Sequence, residues 1–108
     1  MIRNNYTMTI GFNDKITEKQ EISTEEAKNI IADILINRFN VYAFTMWDCD
    51  GVYKMDSTGN IVKEKSVKVE IITDEEIPYI GVVIDRIKEA LNQESVMLQQ
   101  TKESVVFA

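Results

Sequence analysis

The sequence of 108 residues contains no histidine. This absence excludes Ser-His and Cys-His nucleophile pairs and removes the commonest general base and metal ligand of proteins. The single cysteine, Cys49, cannot form a disulfide within the chain, and its neighbours Asp48 and Asp50 disfavour the thiolate form through their charge. We therefore predict an unreactive cysteine in the reducing environment of the cytoplasm.

Metal and cofactor signatures are also missing. The sequence Asp48-Cys-Asp50-Gly51 suggests a calcium loop, but its glycine stands at the fourth position, whereas an EF-hand loop requires glycine at the sixth. The turn glycine Gly59 lacks the further glycines of a phosphate-binding loop. The sequence predicts no metal and no cofactor.

Positive charge is scarce, because 12 lysines and arginines stand against 18 aspartates and glutamates, for a net charge of −6. Proteins that bind nucleic acids through phosphates need clustered lysine and arginine, so we expect no direct nucleic-acid contact. No apolar run approaches the roughly 20 residues of a membrane-spanning helix, and the first residues lack the apolar core of a signal peptide. These absences predict a small acidic cytoplasmic protein without a membrane segment.

The sequence does contain regular alternation and helical spacing, in a length that suits one domain spanning the whole chain. From Tyr6 to Phe12, apolar and polar residues alternate as in a half-buried strand. Ser23 and Glu26 form a capping box that begins a helix, and Asn40 suits the left-handed end of that helix. The apolar side of the helix is predicted to consist of Ala27, Ile30, Ile31, Ile34 and Leu35.

The segment Ala43–Ile72 is predicted to form a long β-hairpin. We place its turn at Asp56–Asn60, because apolar residues resume just before that segment. The alternative is a two-residue turn at Asp50-Gly51. With the turn at Asp56–Asn60, the segment Asp48–Gly51 is expected to form a β-bulge.

A second helix is expected after the hairpin, with Thr73 or Asp74 as its cap and Pro78 in its first turn. The strand Ser95–Thr101 follows, and Ser104–Phe107 is either its continuation past a bulge or a short fifth strand. The order β-α-β-β-α-β predicts an α+β, ferredoxin-like fold. In this fold two helices cover one face of a four-stranded antiparallel sheet whose first and third strands are central, and the other face stays open.

Short motifs occur in an order that is typical of a known family. They are Ile10-Gly11-Phe12, Arg38-Phe39, Gly51-Val-Tyr53, Glu64-Lys-Ser66 and Gln93-Glu-Ser95-Val96. With these motifs the chain resembles a family of small bacterial proteins of unknown function, which shows Gly-x-Trp, Glu-x-Ser and Gln-x-Ser-Val; Tyr53 departs from that tryptophan. The resemblance supports the fold and implies no activity. A divergent phage or mobile-element copy would imply an anti-defence role.

The open sheet face is the predicted binding surface of a non-catalytic protein, together with the hairpin edge. We expect a homo-oligomer, specifically a homodimer formed through this face or edge. The predicted partner is a protein, as for a phage-type inhibitor of a host defence protein, or a metabolite held at the dimer interface. A buried core position for the only tryptophan is the alternative to its exposure on this face. The predicted binding residues are Thr7, Thr9, Thr45, Trp47, Tyr53, Lys68 and Glu70.

The alternative function is a small enzyme of the dimeric α+β barrel type. Glu64 is then the candidate general base, with Ser66 and Gln93 orienting a substrate. The same three side chains would instead have a structural role if they only satisfied backbone groups where strand meets helix. A Glu64 that faces a closed cavity favours the enzyme, and a Glu64 paired with Lys63 or Lys65 in solvent speaks against it.

Overall fold

The chain folds into one antiparallel sheet and two helices, and the computed structural model describes all of residues 1–108. The elements are strand β1 (Ile2–Gly11), helix α1 (Thr24–Asp33) with a π-helical turn (Ile34–Arg38), strands β2 (Thr45–Lys54) and β3 (Ile61–Thr73), helix α2 (Ile80–Leu91) and strand β4 (Met97–Ser104). The sheet order is β2-β3-β1-β4, and every neighbouring pair is antiparallel. The predicted ferredoxin-like fold with central β1 and β3 is confirmed.

The core lies between the sheet and the two helices. Successive side chains of a strand point to opposite faces, so the alternation in β1 and β3 sends one set of side chains to the helices. Tyr6, Met8 and Ile10 of β1 stand opposite Ile71, Val69 and Val67 of β3, and all six are essentially inaccessible to solvent. The helices complete this core with Ala27, Ile31, Ile34, Leu35, Val83, Ile87 and Leu91.

Helix α1 begins and ends where the sequence predicts. The Ser23 hydroxyl accepts a hydrogen bond from the Glu26 amide at 3.1 Å, which satisfies one of the free amides of the first turn. The reciprocal bond from Glu26 back to Ser23 is not formed. At the other end Asn40 has a φ of 56°, and the Val41 amide donates to the Leu35 carbonyl at 2.8 Å. This left-handed residue therefore ends the helical segment.

The hairpin turns at the predicted place, where Gly59 has a φ of 72° and the Met55 amide donates to the Asn60 carbonyl at 2.9 Å. The predicted bulge at Asp48–Gly51 is wrong, because these residues pair in unbroken register with β3. Both aspartates of this segment point to the helix side of the sheet, where Asp48 contacts Lys28 and Asp50 contacts Lys65, each at 3.1 Å. Both aspartate side chains are more than half exposed on the edge strand β2, so they can follow the regular alternation without burying a charge.

The start of α2 differs from the prediction. Neither Thr73 nor Asp74 caps the helix; it begins at Ile80, with no side-chain cap. The preceding segment instead packs against the core, since the Ile77 amide donates a buried 2.7 Å hydrogen bond to the Tyr6 hydroxyl. A hydrogen bond between two residues that are 71 positions apart in the chain thus replaces the predicted local cap.

The last strand lies two to three residues further along the chain than predicted. Strand β4 runs without a bulge from Met97 to Ser104, and the residues after it form no fifth strand. The Val105 amide donates to the Met1 carbonyl at 3.0 Å, so the two ends of the chain lie together. Neither helix has the length and apolar character needed to cross a membrane.

Candidate functional site

A groove of about 480 Å³ opens at the end of the uncovered sheet face. Its walls come from all four strands, the loop of residues 13–18 and the segment that follows α2. We call it the Glu64 groove, and its central residues are Gly11, Asn13, Tyr53, Glu64, Ser66 and Gln93. The structure therefore brings the predicted residues Glu64, Ser66 and Gln93 together, with Tyr53 and Thr9 of the predicted binding face beside them.

The Glu64 carboxylate is held in a defined position over Gly11. Its Oε2 accepts a hydrogen bond from the Asn13 amide at 2.8 Å. A Cβ atom on Gly11 would lie 2.4 Å from the Cδ and Oε1 atoms of Glu64, so only glycine leaves room for the carboxylate. Glu64 forms no ion pair with either neighbouring lysine, and Lys65 pairs with Asp50 on the other side of the sheet. The groove is open rather than a closed cavity, so neither condition set for Glu64 above is fully met.

Gln93 supports the groove from the segment after α2. The preceding residue, Asn92, is left-handed with a φ of 48°, which ends the helix and turns the chain back to the sheet. Gln93 is 7% exposed, and its Nε2 donates to the Asn13 carbonyl at 2.8 Å and to the Leu91 carbonyl at 3.3 Å. Glu64 and Gln93 thus both bind the backbone of Asn13, one at its amide and one at its carbonyl.

Ser66 and Tyr53 form another part of the groove. Ser66 is 4% exposed, and its hydroxyl donates a long 3.4 Å hydrogen bond to the Glu64 carbonyl. The opposing strand places Gly51 across from Glu64, which leaves space above Ser66. Tyr53 lies two residues further along β2 and is 48% exposed, so its ring is accessible to a ligand.

The loop of residues 13–18 is a part of the site that sequence analysis missed. The Asp14 carboxylate accepts hydrogen bonds from the Asn92 side chain and from the amides of Ile16 and Thr17, at 2.8, 2.8 and 3.1 Å respectively. The Asn92 hydrogen bond, followed by those two amides, lowers the pKa of Asp14 below its ordinary value. The signal was present, because Asp14-Lys-Ile-Thr17 has the composition of a turn in which aspartate caps the following amides.

The groove carries an excess of negative charge. Its carboxylates are those of Asp14, Glu18, Glu64 and Glu94, and its only basic side chain is that of Lys15. No three side chains with metal-ligating groups lie close enough together to hold a metal ion. The arrangement therefore favours an organic cation over a phosphate or another anion.

The predicted binding residues all lie on the uncovered sheet face. The register places Thr7 opposite Glu70, and Lys68 between Thr9 and Trp47. Trp47 is 40% exposed, so it is not the buried core anchor of the alternative interpretation. Thr45 precedes Trp47 on the same face of β2, and Tyr53 connects this face to the Glu64 groove.

The sequence matches, over residues 6–107, the family described as protein of unknown function (DUF3574). The chain belongs to the DUF3574 family. This result agrees with the resemblance to a family of unknown function noted above. No curated protein matches the sequence.

Several solved structures share the fold. A phage SAM lyase in complex with S-methyl-5′-thioadenosine is 22% identical, with a TM-score of 0.69 over 92% of this chain and 80% of that chain. A phage SAM lyase in the apo state is 24% identical, with a TM-score of 0.65 over 92% and 79%. The periplasmic divalent cation tolerance protein CutA from Archaeoglobus fulgidus is 16% identical, with a TM-score of 0.56 over 94% and 82%. At these identities the likeness establishes the shared fold.

Proposed function

We propose that the Glu64 groove binds a small cationic nucleoside of the S-adenosylmethionine class. The observation that carries the proposal is the Glu64 carboxylate, which Asn13 and Gly11 hold in place at the wall of an acidic groove. Because the carboxylate is already fixed, little of the binding free energy is spent on ordering its side chain. The groove is also large enough for a ligand of this size, since small-molecule sites measure roughly 300–1,000 Å³.

The charge of the groove supports this ligand class. Four carboxylates against one lysine attract a sulfonium or ammonium cation and repel nucleotides that carry phosphates. The exposed ring of Tyr53 adds a surface on which a cation or a purine can stack. The shared fold with a phage SAM lyase that holds S-methyl-5′-thioadenosine is consistent with a ligand built on adenosine.

Titration calorimetry with S-adenosylmethionine tests the proposal. We expect binding to the wild type, at least tenfold weaker binding to Glu64→Gln, and no detectable binding of ATP. Glu76→Gln is the matched control, because Glu76 is exposed, makes no side-chain hydrogen bond and lies near the opposite end of the sheet. Absence of binding to the wild type, or equal affinities of the wild type and Glu64→Gln, would contradict the proposal.

Cleavage of the ligand is a second candidate function, favoured by the positioned Glu64 and by the fold shared with a SAM lyase. Release of S-methyl-5′-thioadenosine breaks the bond between sulfur and the γ-carbon of the amino-acid part, and sulfur keeps the electron pair, so the sulfonium cation becomes a neutral thioether. The amino-acid part would lose a proton from its β-carbon to Glu64, and the electron pair of that carbon–hydrogen bond would form the carbon–carbon double bond of an unsaturated amino acid. An acidic groove stabilises the cation more than this product, so its charge favours binding rather than turnover. Cleavage therefore requires the further role of general base predicted for Glu64. The test is chromatography after S-adenosylmethionine has been incubated with each protein. If the chain is an enzyme, the thioether forms with the wild type and not with Glu64→Gln.

We also propose that further copies of the chain cover the open sheet face around Trp47. A half-exposed tryptophan among threonines, Lys68 and Glu70 has the mixed character of an interface centre. Native mass spectrometry should show an oligomer that Trp47→Ala reduces to monomers without loss of the fold. A monomeric wild type would instead favour a different protein on this face, as in the hypothesis of a phage-type inhibitor of a host protein.

A further inference from the structure

The side-chain amide of Gln93 has only one orientation that its surroundings permit. Its Nε2 donates to the carbonyl oxygens of Asn13 and Leu91. In the opposite orientation the amide oxygen would face these two carbonyl oxygens, and neither of them can donate a hydrogen bond. The chemistry of the neighbours therefore determines where the Nε2 and Oε1 atoms of Gln93 lie.

The Oε1 atom of Gln93 has no hydrogen-bond donor, although the residue is more than nine-tenths buried and lines the Glu64 groove. The side-chain atoms that are both sealed from solvent and unpartnered belong to Arg3, Asn4 and Thr9. Gln93 Oε1 is not one of them, so it retains accessible surface. It is therefore an accessible free acceptor on a side chain that lines the groove.

Glu64 supplies a second free acceptor in the same groove. Oε2 of Glu64 accepts from the Asn13 amide, and no hydrogen bond ends on its Oε1. Glu64 and Gln93 bind the two backbone groups of the same residue, Asn13, and both line the groove, so the two free oxygens belong to side chains of one site. Together they form a site that accepts hydrogen bonds, donates none and carries one negative charge.

We infer that Gln93 and Glu64 together bind the primary ammonium group of the ligand. An ammonium group has three donors, no acceptor and a positive charge, which complements both free oxygens at once. The inference rests on the proposed function and extends it, since S-adenosylmethionine carries this group on its amino-acid part and S-methyl-5′-thioadenosine lacks that part. The groove would thereby select ligands that retain the amino acid.

The test compares S-adenosylmethionine with its deamino analogue, in which hydrogen replaces the ammonium group. The wild type should bind S-adenosylmethionine at least tenfold more tightly than the analogue. In Gln93→Met this ratio should fall by at least threefold, because the acceptor is lost while Glu64 remains. Gln99→Met is the matched control on exposed β4 and should keep the wild-type ratio.

If Gln93 has only a structural role, Gln93→Met should weaken the binding of both compounds equally and leave the ratio of their affinities unchanged. That result would overturn the inference. Equal binding of the two compounds to the wild type would overturn it as well while leaving the proposed function intact. If neither compound binds, the proposed function fails and the inference with it. If Gln93→Met does not fold, NMR spectroscopy of the wild type replaces this variant, with the Gln93 side-chain amide signal as the readout. That signal should shift with S-adenosylmethionine more than with the analogue, and equal shifts would overturn the inference.

Discussion

The substitution Gly11→Ala tests the geometry of the candidate site most sharply. A Cβ atom on Gly11 would lie 2.4 Å from Cδ and Oε1 of Glu64, whereas ordinary van der Waals contact begins at 3.4 Å. The obstructing atoms end a flexible side chain, and Gly11 is not among the glycines with positive φ, so β1 can accept alanine. The carboxylate must then move by about 1 Å, the difference between these two distances.

This displacement breaks the contact that fixes the charge. The 2.8 Å hydrogen bond from the Asn13 amide to Glu64 lengthens beyond the roughly 3.2 Å limit of a good N–H···O bond. A hydrogen bond to a charged group contributes about 1.5–3 kcal/mol to stability. Once this bond is lost, the ligand must order the Glu64 carboxylate on binding, so the affinity for S-adenosylmethionine should fall at least tenfold. The free energy of unfolding should fall by roughly 0.5–2.6 kcal/mol, because alanine restricts the unfolded chain more than glycine and so offsets about 0.4–1 kcal/mol of the lost bond.

Titration calorimetry and urea denaturation measure these two quantities. The control is Gly81→Ala, since a Cβ atom there has no neighbour within 4 Å and the position lies in α2. This control should gain about 0.8–1.0 kcal/mol of stability and keep the wild-type affinity. Unchanged affinity of Gly11→Ala would refute the reasoning, and so would an unfolded variant, because it would mean that the backbone rather than the carboxylate takes up the clash.

Three further predictions concern the fold and the loop that borders the groove. Tyr6→Phe leaves the buried Ile77 amide without its acceptor and should cost about 1–3 kcal/mol in chemical denaturation; a cost near zero would mean that the amide finds another partner. Ser23→Ala removes the cap of α1 and should lower the unfolding free energy by about 1 kcal/mol, whereas Ser23→Gly should cost only a few tenths. The pKa of Asp14 is lower in the folded chain than its ordinary value of 3.8, so its contribution to stability is present above that pH and lost as pH falls below it. The stability difference between the wild type and Asp14→Asn should therefore shrink below pH 3.8, and a difference independent of pH would show that the hydrogen bond to Asn92 does not favour the charged form.

Alternation predicted the sheet well because two of its strands are covered by helices on one face only. Along the paired middle of β1 and β3, every second side chain is apolar and packs in the core under the helices, so period-two patterning follows directly from the fold. The same alternation placed Trp47 and Lys68 correctly on the uncovered face. The error at Asp48–Gly51 arose because exposed charged residues on an edge strand need not interrupt its pairing. The error before α2 arose because a distant group, the Tyr6 hydroxyl, replaced the local cap.

The candidate site was only partly accessible to sequence analysis. The motifs Glu64-x-Ser66 and Gln93-x-Ser95 drew attention to side chains that the fold brings into one groove, because polar residues at strand ends are informative in a chain with no histidine. The link between them is the backbone of Asn13, and a backbone amide and carbonyl leave no trace in residue identity. Sequence analysis used Gly11 only as part of a family motif. The structure explains this glycine, because a Cβ atom at this position would lie 2.4 Å from the Glu64 carboxylate.

The central claim is that the Glu64 groove selects a cation. Two ligands that differ in the positive charge on sulfur test this claim directly. S-Adenosylmethionine and S-adenosylhomocysteine differ by one methyl group and by the positive charge on sulfur. At an effective dielectric constant near 20, a single carboxylate about 4 Å from that charge contributes up to about 4 kcal/mol before desolvation. Titration calorimetry of the wild type with both compounds should show at least tenfold tighter binding of S-adenosylmethionine, and equal or reversed affinities would contradict the account.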